Sequence, residues 1–305
     1  VWVGETEYEI VVESSELKIT EGTDRGEYFF TLNDLVVPAG EEAVLFAVWS
    51  ENGGQDDMVW YDARKLKKGS YEYDWSVQNH RALGKYNVHV YVRTKGNTMK
   101  GIGAYEFNID APKVAEIEIS DRNVERGTFS ARVEGVSNAD LVKEIMIPVW
   151  SNSNGQDDLV WYAAQKDLDG TYELTVDVKN HKYSDGSYNI HAYVTDITGY
   201  QYFVGSTERS MDIEKGSLQI ENIGDARYRI VLSDFVIPAG ASEVLFPVWS
   251  ENGGQDDLVW YTAGKNGEGD YVCTISLDDH RGLGRYNVHA YAKKQNGEQI
   301  PLLIS

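Results

Sequence analysis

The sequence predicts an all-β protein made of three tandem immunoglobulin-like or fibronectin III-like β-sandwich domains arranged as a rod. Three observations predict this fold class. A set of motifs recurs with a period near 100 residues, apolar residues alternate with a period of two, and Gly, Asn and Asp turns separate short segments. A period near 100 residues corresponds to a whole domain rather than to one turn of a solenoid.

Two blocks carry the repeat. The first, Trp-Ser-Glu-Asn-Gly-Gly-Gln-Asp-Asp-Met-Val-Trp-Tyr at 49–61, returns with few changes at 150–162 and 249–261, after offsets of 101 and 99 residues. The second, Gly-x-Tyr-Asn-Φ-His-x-Tyr with Φ either Val or Ile, follows each copy. We therefore predict repeats at 15–111, 112–214 and 215–305, the last a candidate for truncation at its final strand. Residues 1–14 resemble the close of the second repeat, so we expect them to be the last strand and linker of a preceding repeat.

The individual strands follow from alternation. Val44, Phe46 and Val48 form an apolar face that we assign to the core, while Trp49 lies on the alternate face. A Tyr just after a Gly-containing turn predicts a tyrosine corner at Tyr86, Tyr188 and Tyr286. Seven short strands per repeat indicate a two-sheet sandwich. In the third repeat we expect them at 217–220, 227–232, 243–250, 258–261, 271–277, 286–293 and 299–304.

Charge and composition exclude several classes of function. The chain has 28 Lys plus Arg against 49 Asp plus Glu, and its net charge of −21 repels phosphate backbones and anionic lipid. We therefore expect neither nucleic-acid binding nor membrane insertion, and no window approaches 18 consecutive apolar residues. The single cysteine, Cys273, excludes an intramolecular disulfide and a Cys-rich metal site. We expect no cofactor and a monomeric fragment.

The adjacent carboxylates of each first block do not predict catalysis. Consecutive residues of a strand point to opposite faces, so Asp56 and Asp57 do not converge on one bond unless a turn reorients them. We therefore expect no enzyme. The oxygen-rich loop 52–57 leaves a calcium site open as an alternative to a capped turn, although it lacks the ligand order of an EF-hand. We interpret His80 and its counterparts as bonded to backbone or Asp rather than to a metal.

The tryptophan pairs flanking the loop of each first block are the best candidates for ligand binding. One Trp of each pair is expected in the core and the other at the surface. Because the apolar face of the preceding strand already fills the core, we expect Trp49, Trp150 and Trp249 at the surface. Exposed aromatic rings beside amide and carboxylate groups stack on sugars and also make protein-binding hot spots. The candidate ligand-binding residues are Trp49, Gln55, Asp56, Trp60, Tyr61, Trp150, Gln156, Asp157, Trp161, Tyr162, Trp249, Gln255, Asp256, Trp260 and Tyr261.

The two blocks together resemble the group B streptococcal secreted-protein (Bsp)-like repeat, and the resemblance covers all three repeats. It implies a non-catalytic repeat of secreted or wall-associated proteins of Gram-positive bacteria. The resemblance further implies a place beside peptidoglycan hydrolase domains or in long surface arrays, where such repeats often occur. The second repeat departs from the other two with Asn-Ser-Asn at 152–154.

These observations lead to one functional hypothesis and two alternatives. We expect a binding array of a secreted or cell-wall-associated protein that targets bacterial cell-wall glycan, with weak single sites strengthened by multivalency. The first alternative is an adhesin that binds a host surface protein, a glycoprotein or an immunoglobulin. The second is a structural spacer that projects another domain.

Overall fold

The computed structural model describes residues 16–38, 40–52, 54–153 and 155–303. The strand expected within residues 1–14 lies outside the described residues. Within the described part the chain consists of strands, turns and short 3₁₀ helices, without an α-helix. No helix there has the length and apolar character of a membrane span.

The first repeat forms two antiparallel sheets of four strands each. The strand order is β1-β2-β6-β5 in one sheet and β4-β3-β7-β8 in the other. Burial along β7 alternates strictly over most of its length, as the period of two in the sequence predicts. The strands are β1 (Leu17–Glu21), β2 (Glu27–Leu32), β3 (Glu41–Ser50), β4 (Val59–Asp62), β5 (Arg64–Lys67), β6 (Ser70–Ser76), β7 (Gly84–Thr94) and β8 (Met99–Ile109).

The second repeat has the same arrangement. Its sheets have the orders β13-β14-β10-β9 and β12-β11-β15-β16. The strands are β9 (Glu116–Asn123), β10 (Thr128–Glu134), β11 (Val142–Ser151), β12 (Val160–Ala163), β13 (Gln165–Lys166), β14 (Tyr172–Asp177), β15 (Gly186–Asp196) and β16 (Gln201–Met211).

The third repeat contains every strand that its sequence predicts, with two differences. A two-residue strand, β21, pairs with β22, and the sixth predicted strand is divided into β23 and β24 at His289, whose N–H donates to the Pro247 carbonyl at 3.2 Å. The sheet orders are β17-β18-β22-β21 and β20-β19-β24-β25, with β23 on β19. The strands are β17 (Glu214–Gly224), β18 (Arg227–Val236), β19 (Ala241–Ser250), β20 (Val259–Thr262), β21 (Gly264–Lys265), β22 (Tyr271–Ser276), β23 (Tyr286–Val288), β24 (Ala290–Lys294) and β25 (Gln299–Leu303).

Short 3₁₀ helices follow the third and sixth strands of the first repeat, and related ones occur in the others. They supply tight turns in which side chains cap backbone groups, as where Ser76 accepts from the Gln78 N–H. The helices are Gly54–Asp57, Val77–Asn79, Ala139–Leu141, Val178–His181, Gln255–Asp257 and Leu277–Asp279.

The hydrophobic core of a repeat lies between its two sheets. In the first repeat Phe30 of β2 meets Phe46 of β3 edge to face, with ring centroids 5.7 Å apart, and both side chains are fully buried. In the second repeat Phe129 and Tyr188 meet at 5.8 Å. In the third repeat one cluster joins Ile230 of one sheet to Phe246 of the other. The predicted fold class of tandem all-β sandwiches is confirmed.

The predicted tyrosine corner is present in all three repeats. The hydroxyl of Tyr188 donates to the carbonyl of Ser184 at 2.6 Å, and Tyr86 and Tyr286 donate to the carbonyl four residues earlier in the same way. This bond fixes the turn that leads into the central strand β15 of the second repeat and its counterparts.

Contacts between residues divide the chain into two compact units, and these units do not coincide with the repeats. The first comprises the described residues of Val1–Val114 together with Val136–Ile145 and Tyr193–Val204. The second comprises Ala115–Gly135, Met146–Ala192 and the described residues of Gly205–Ser305. The repeat boundaries given by the sequence stay predictions.

Candidate ligand-binding site

The polar members of the predicted site lie on the surface. The side chains of Gln55 and Asp56, in the turn Gly54–Asp57, are exposed, and so are Gln156, Asp157, Gln255 and Asp256 in the equivalent turns. Asp157 forms an ion pair with Lys182 at 2.7 Å. Each turn leads directly into the strand that carries the second tryptophan of the pair. The polar residues therefore border one edge of a sheet.

The expected exposure of the first tryptophan in each pair is wrong. Trp49 and Trp249 are only 8% and 9% exposed, and Trp150 is partly buried. The exposed tryptophans are the second ones, with Trp60 at 47%, Trp161 at 46% and Trp260 at 46%. Both tryptophans of a pair lie on the outer face of the same sheet, because each alternates along its strand with side chains that face the core, such as Val48 and Tyr61.

The position of each strand in the sheet explains this difference. Trp49 is on β3, which lies between β4 and β7, and its ring packs edge to face against His89 of β7 at 4.6 Å. Trp60 is on β4, the edge strand, where only one side has a neighbour. Facing the core is not the only way to bury a side chain, since cross-strand neighbours on an outer face also cover a large ring.

The outer face of the first repeat carries four aromatic rings that we call the aromatic row: Trp49, His89, Tyr91 and Trp60. Their consecutive ring centroids are 4.6, 6.4 and 5.0 Å apart. Ala47 lies directly between the backbone positions of Trp60 and His89 in the register of the sheet. The small Ala47 side chain therefore leaves the face of the sheet open beside the exposed Trp60 ring, which is inclined by 49° to the ring of Tyr91.

The other repeats keep these features. In the third repeat the centroid distances are 4.6 Å for Trp249 to His289, 6.3 Å for His289 to Tyr291 and 5.5 Å for Trp260 to Tyr291. In the second repeat Trp150 and His191 meet at 4.6 Å, and Pro148 is paired with Trp161 where the first repeat has Ala47. Tyr193 occupies the sequence position of Tyr91.

Sequence reasoning missed the members of the row that come from the second block. His89, His191, His289, Tyr91, Tyr193 and Tyr291 were not among the candidate ligand-binding residues. The alternation of Asn87, His89 and Tyr91 along β7 was the available signal, since it places them opposite the core face. The missing information was that β7 pairs with β3, which puts this face beside the tryptophans.

The tyrosine next to the exposed tryptophan has a different environment. Tyr61 is 7% exposed, and its hydroxyl lies 3.0 Å from Nε2 of His80. Trp75 Nε1 donates to the same nitrogen at 3.1 Å, so Nε2 accepts and the proton of the neutral imidazole is on Nδ1. Tyr162 with His181 and Tyr261 with His280 repeat this contact at 2.8 and 3.0 Å. This geometry holds the tyrosine hydroxyls inside the repeat.

The second aspartate of each pair completes the same cluster. Asp57 Oδ1 accepts from the Ser50 N–H at 2.9 Å, and its other oxygen lies 3.4 Å from Nδ1 of His80. Asp158 accepts from both the N–H and the hydroxyl of Ser151, at 3.0 and 2.6 Å. Asp257 accepts from the Ser250 N–H at 2.9 Å. We call the Asp, His, Tyr and Ser of each repeat the loop lock, because together they tie the loop to the end of a central strand.

Burial disfavours the charged form of the lock histidine in the first and second repeats. Burial lowers the pKa of His80 below its ordinary range, and the nearby Asp57 carboxylate opposes the shift without cancelling it. Burial likewise lowers the pKa of His181. Burial raises the pKa of Tyr61 to about 12, so its hydroxyl stays protonated. In the first and second repeats the imidazole of the lock is therefore neutral.

The paired aspartates have separate environments. The Asp57 side chain is almost fully buried and bonded to Ser50, whereas Asp56 is exposed. Two carboxylates arranged in this way do not face a common substrate atom. Among the residues that the structure describes, no group of three or more His, Cys, Asp or Glu side chains could hold a metal ion.

Comparison with solved structures finds only low overall similarity. A tetra-tandem repeat in the extending region of a large adhesion protein has 17% identity and a TM-score of 0.35, over 92% of this chain and 70% of that one. A 1.5-MDa bacterial ice-binding adhesin has 11% identity and a TM-score of 0.27, over 90% and 88%. A polysaccharide deacetylase from Bacillus cereus has 12% identity and a TM-score of 0.28, over 34% and 30%. These values are too low for the neighbours to indicate a function.

Comparison with families is decisive. No curated protein matches the chain. The model of the GBS Bsp-like repeat matches three times, at residues 19–107, 118–209 and 217–303, and so covers most of the sequence. The three matched segments contain the three tryptophan pairs and the three loop locks. The chain therefore belongs to the GBS Bsp-like repeat family and consists of three tandem copies of that repeat.

Proposed function

We propose that the chain is a non-catalytic binding array of a secreted or cell-wall-associated protein of a Gram-positive bacterium, and that its aromatic rows bind cell-wall glycan. The observation that carries the proposal is the exposed tryptophan on the outer face of every repeat. An exposed indole ring suits the apolar face of a sugar ring, and the neighbouring amide and carboxylate groups suit its hydroxyls.

The environment of the predicted residues supports a division of roles. Trp60, Gln55 and Asp56, with their counterparts, have accessible side chains that a ligand can reach. Tyr61, Tyr162 and Tyr261 have hydroxyls engaged in the loop locks, and we assign them to positioning the loop. Trp49, Trp150 and Trp249 are the less accessible members of their rows, and we assign them to supporting the neighbouring rings. The first aspartate of each pair thus belongs to the site and the second to the scaffold.

Three copies give a physical reason for useful affinity. A shallow site with one exposed ring binds weakly. When one polymer contacts several copies at once, the apparent affinity rises without any new type of contact. The net charge of −21 disfavours phosphate-rich teichoic acid and favours the neutral or amino-sugar part of the wall as the ligand.

Co-sedimentation with purified Gram-positive cell walls tests the proposal. The native chain should pellet saturably, and a variant with Trp60→Ala, Trp161→Ala and Trp260→Ala should lose at least about tenfold in apparent affinity, as removal of hot-spot rings does. A control variant with Phe29→Ala and Tyr200→Ala removes exposed aromatic side chains elsewhere and should pellet like the native chain.

The ionic strength of the same assay distinguishes the ligand classes. Stacking on glycan should change little with salt, whereas capture of a basic host protein by an acidic surface should weaken steeply. Failure to pellet at any salt concentration, or full pelleting of the triple variant, would overturn the proposal.

A further inference from the structure

Each repeat has a trailing face, which we define by the positions of Gly26, Val77 and Leu83 in the first repeat. Within the first unit this face is covered by Leu141 and Ile197, which belong to the second repeat. A Cβ at Gly26 would lie 2.8 Å from Ile197 Cδ1 and 3.6 Å from Leu141 Cδ2. Val77, Leu83, Leu141 and Ile197 belong to one apolar cluster, and the Ile197 N–H donates to the Leu141 carbonyl at 3.0 Å. We call Leu141 and Ile197 the leading face of the second repeat.

The trailing face of the second repeat has different chemistry. Asp185 stands where the first repeat has Leu83, counting back from the corner tyrosine. Within the second unit Asp185 forms an ion pair with Lys294, whose side chain is 6% exposed, and Asn296 donates to the Lys182 carbonyl at 2.7 Å. Hydrogen bonds from Lys294 to Asp185 and Glu298 outweigh the cost of burial and raise the pKa of the lysine, which therefore stays charged.

The leading face of the third repeat matches this polar surface. Gly240 and Gln295 occupy the positions of Leu141 and Ile197. The N–H of Ala239 donates to the Val124 carbonyl at 3.2 Å, and a Cβ at Gly127 would lie 3.0 Å from the Ala239 Cβ. The trailing face that carries Leu83 thus contacts an apolar leading face. The trailing face that carries Asp185 contacts a leading face that supplies the basic side chain of Lys294.

The trailing face of the third repeat carries a leucine, as the first repeat does, and this leucine is exposed to solvent. Leu283, at the position of Leu83, is 91% exposed, whereas Leu83 is 8% exposed. Ala226 and Leu277 are also more exposed than their buried counterparts Gly26 and Val77. Leu283 and Leu277 line an apolar depression together with Ile220, Tyr228 and Ile275.

We infer that this depression docks a further repeat of the same family, joined in the same polypeptide, whose leading face carries an apolar pair like Leu141 and Ile197. The contact at the first trailing face supplies the precedent, because the same positions bury the same type of leucine there. A second copy of this chain fits less well. The leading face of its first repeat has Gly40 and Lys95 at those positions, which match the aspartate type instead.

Two extended chains test this pairing. The first appends residues 104–214 after Leu303, which adds the second repeat with its Leu141 and Ile197. The second appends residues 206–303, which adds the third repeat with Gly240 and Gln295. Hydrogen exchange of the backbone amides at 282–286 should slow at least tenfold in the first extended chain relative to the native one, and should change little in the second. Hydrogen exchange within the strands of the appended repeat reports whether that repeat is folded.

Exchanging one side chain sharpens the test. Leu283→Asp should abolish the added protection in the first extended chain and create protection in the second, where Lys294 of the appended repeat can pair with the new carboxylate. Equal protection in both extended chains, or none in the first, would overturn the inference. Concentration-dependent self-association of the native chain that Leu283→Asp removes would also overturn it, in favour of a second copy.

Discussion

The two tryptophans of each repeat share one outer sheet face and have opposite environments. Trp49 lies on a central strand, packs against His89 of the neighbouring strand and is nearly buried. Trp60 lies on the edge strand and is about half exposed. The two aspartates differ in the same way, since the Asp57 side chain is almost fully buried and that of Asp56 is exposed. The difference teaches that position across the sheet, and not only the face on which a side chain lies, divides the repeated block into buried scaffold and accessible surface.

The largest expected effect concerns the inner tryptophan. Trp49→Ala should lower the free energy of unfolding of the first repeat by about 3 kcal/mol, because it removes a large buried ring and leaves a cavity beside His89. Trp60→Ala should change it by less than about 1 kcal/mol, as an exposed substitution does. Urea unfolding with hydrogen exchange at β3 measures both. Equal losses of unfolding free energy in Trp49→Ala and Trp60→Ala would contradict the different roles assigned to the two tryptophans.

The next effect compares the two aspartates of the second repeat. Asp158→Ala leaves the Ser151 N–H and hydroxyl without their buried acceptor and should cost about 2 kcal/mol of unfolding free energy. Asp157→Ala removes only an exposed ion pair with Lys182 and should cost at most about 1 kcal/mol. Urea unfolding of the two variants side by side provides the measurement, and a larger loss for Asp157→Ala would reverse our assignment.

A smaller effect concerns the tyrosine of the loop lock. Tyr162→Phe removes the 2.8 Å contact with His181 while keeping the ring, so it should cost about 1 kcal/mol of unfolding free energy. Pelleting with cell walls should be unchanged, since the hydroxyl faces the interior. A loss of wall binding without a loss of stability would instead place this hydroxyl in the binding site.

The smallest effect is a dependence on pH. Because the pKa of His80 and of His181 is lower in the folded chain than its ordinary value of about 6.5, the unfolded chain binds protons more readily as pH falls. The stability is therefore complete above about pH 6.5 and decreases as pH falls below it toward the folded pKa. Thermal unfolding between pH 7 and pH 5 should show this decrease, and His181→Gln should reduce it. A rise in stability on acidification would contradict the account.

The sequence was sufficient to predict the fold and the motif that contains the candidate site. Alternation and the spacing of turns located the strands of the third repeat, and the Gly turn before Tyr86 located the corner. Neither could reveal which tryptophan is exposed, because exposure depends on whether a strand is central or at an edge. The pairing of β3 with β7, which brings His89 to Trp49, joins segments about 40 residues apart and leaves no local signal.

The measurement that tests the central claim most directly is a valency series in the wall-binding assay. The apparent affinity is determined for the native chain and for variants with one, two and three of Trp60, Trp161 and Trp260 replaced by Ala. The account predicts a stepwise weakening with each replacement, while folding, followed by circular dichroism, stays intact. Native affinity in the triple variant would contradict it.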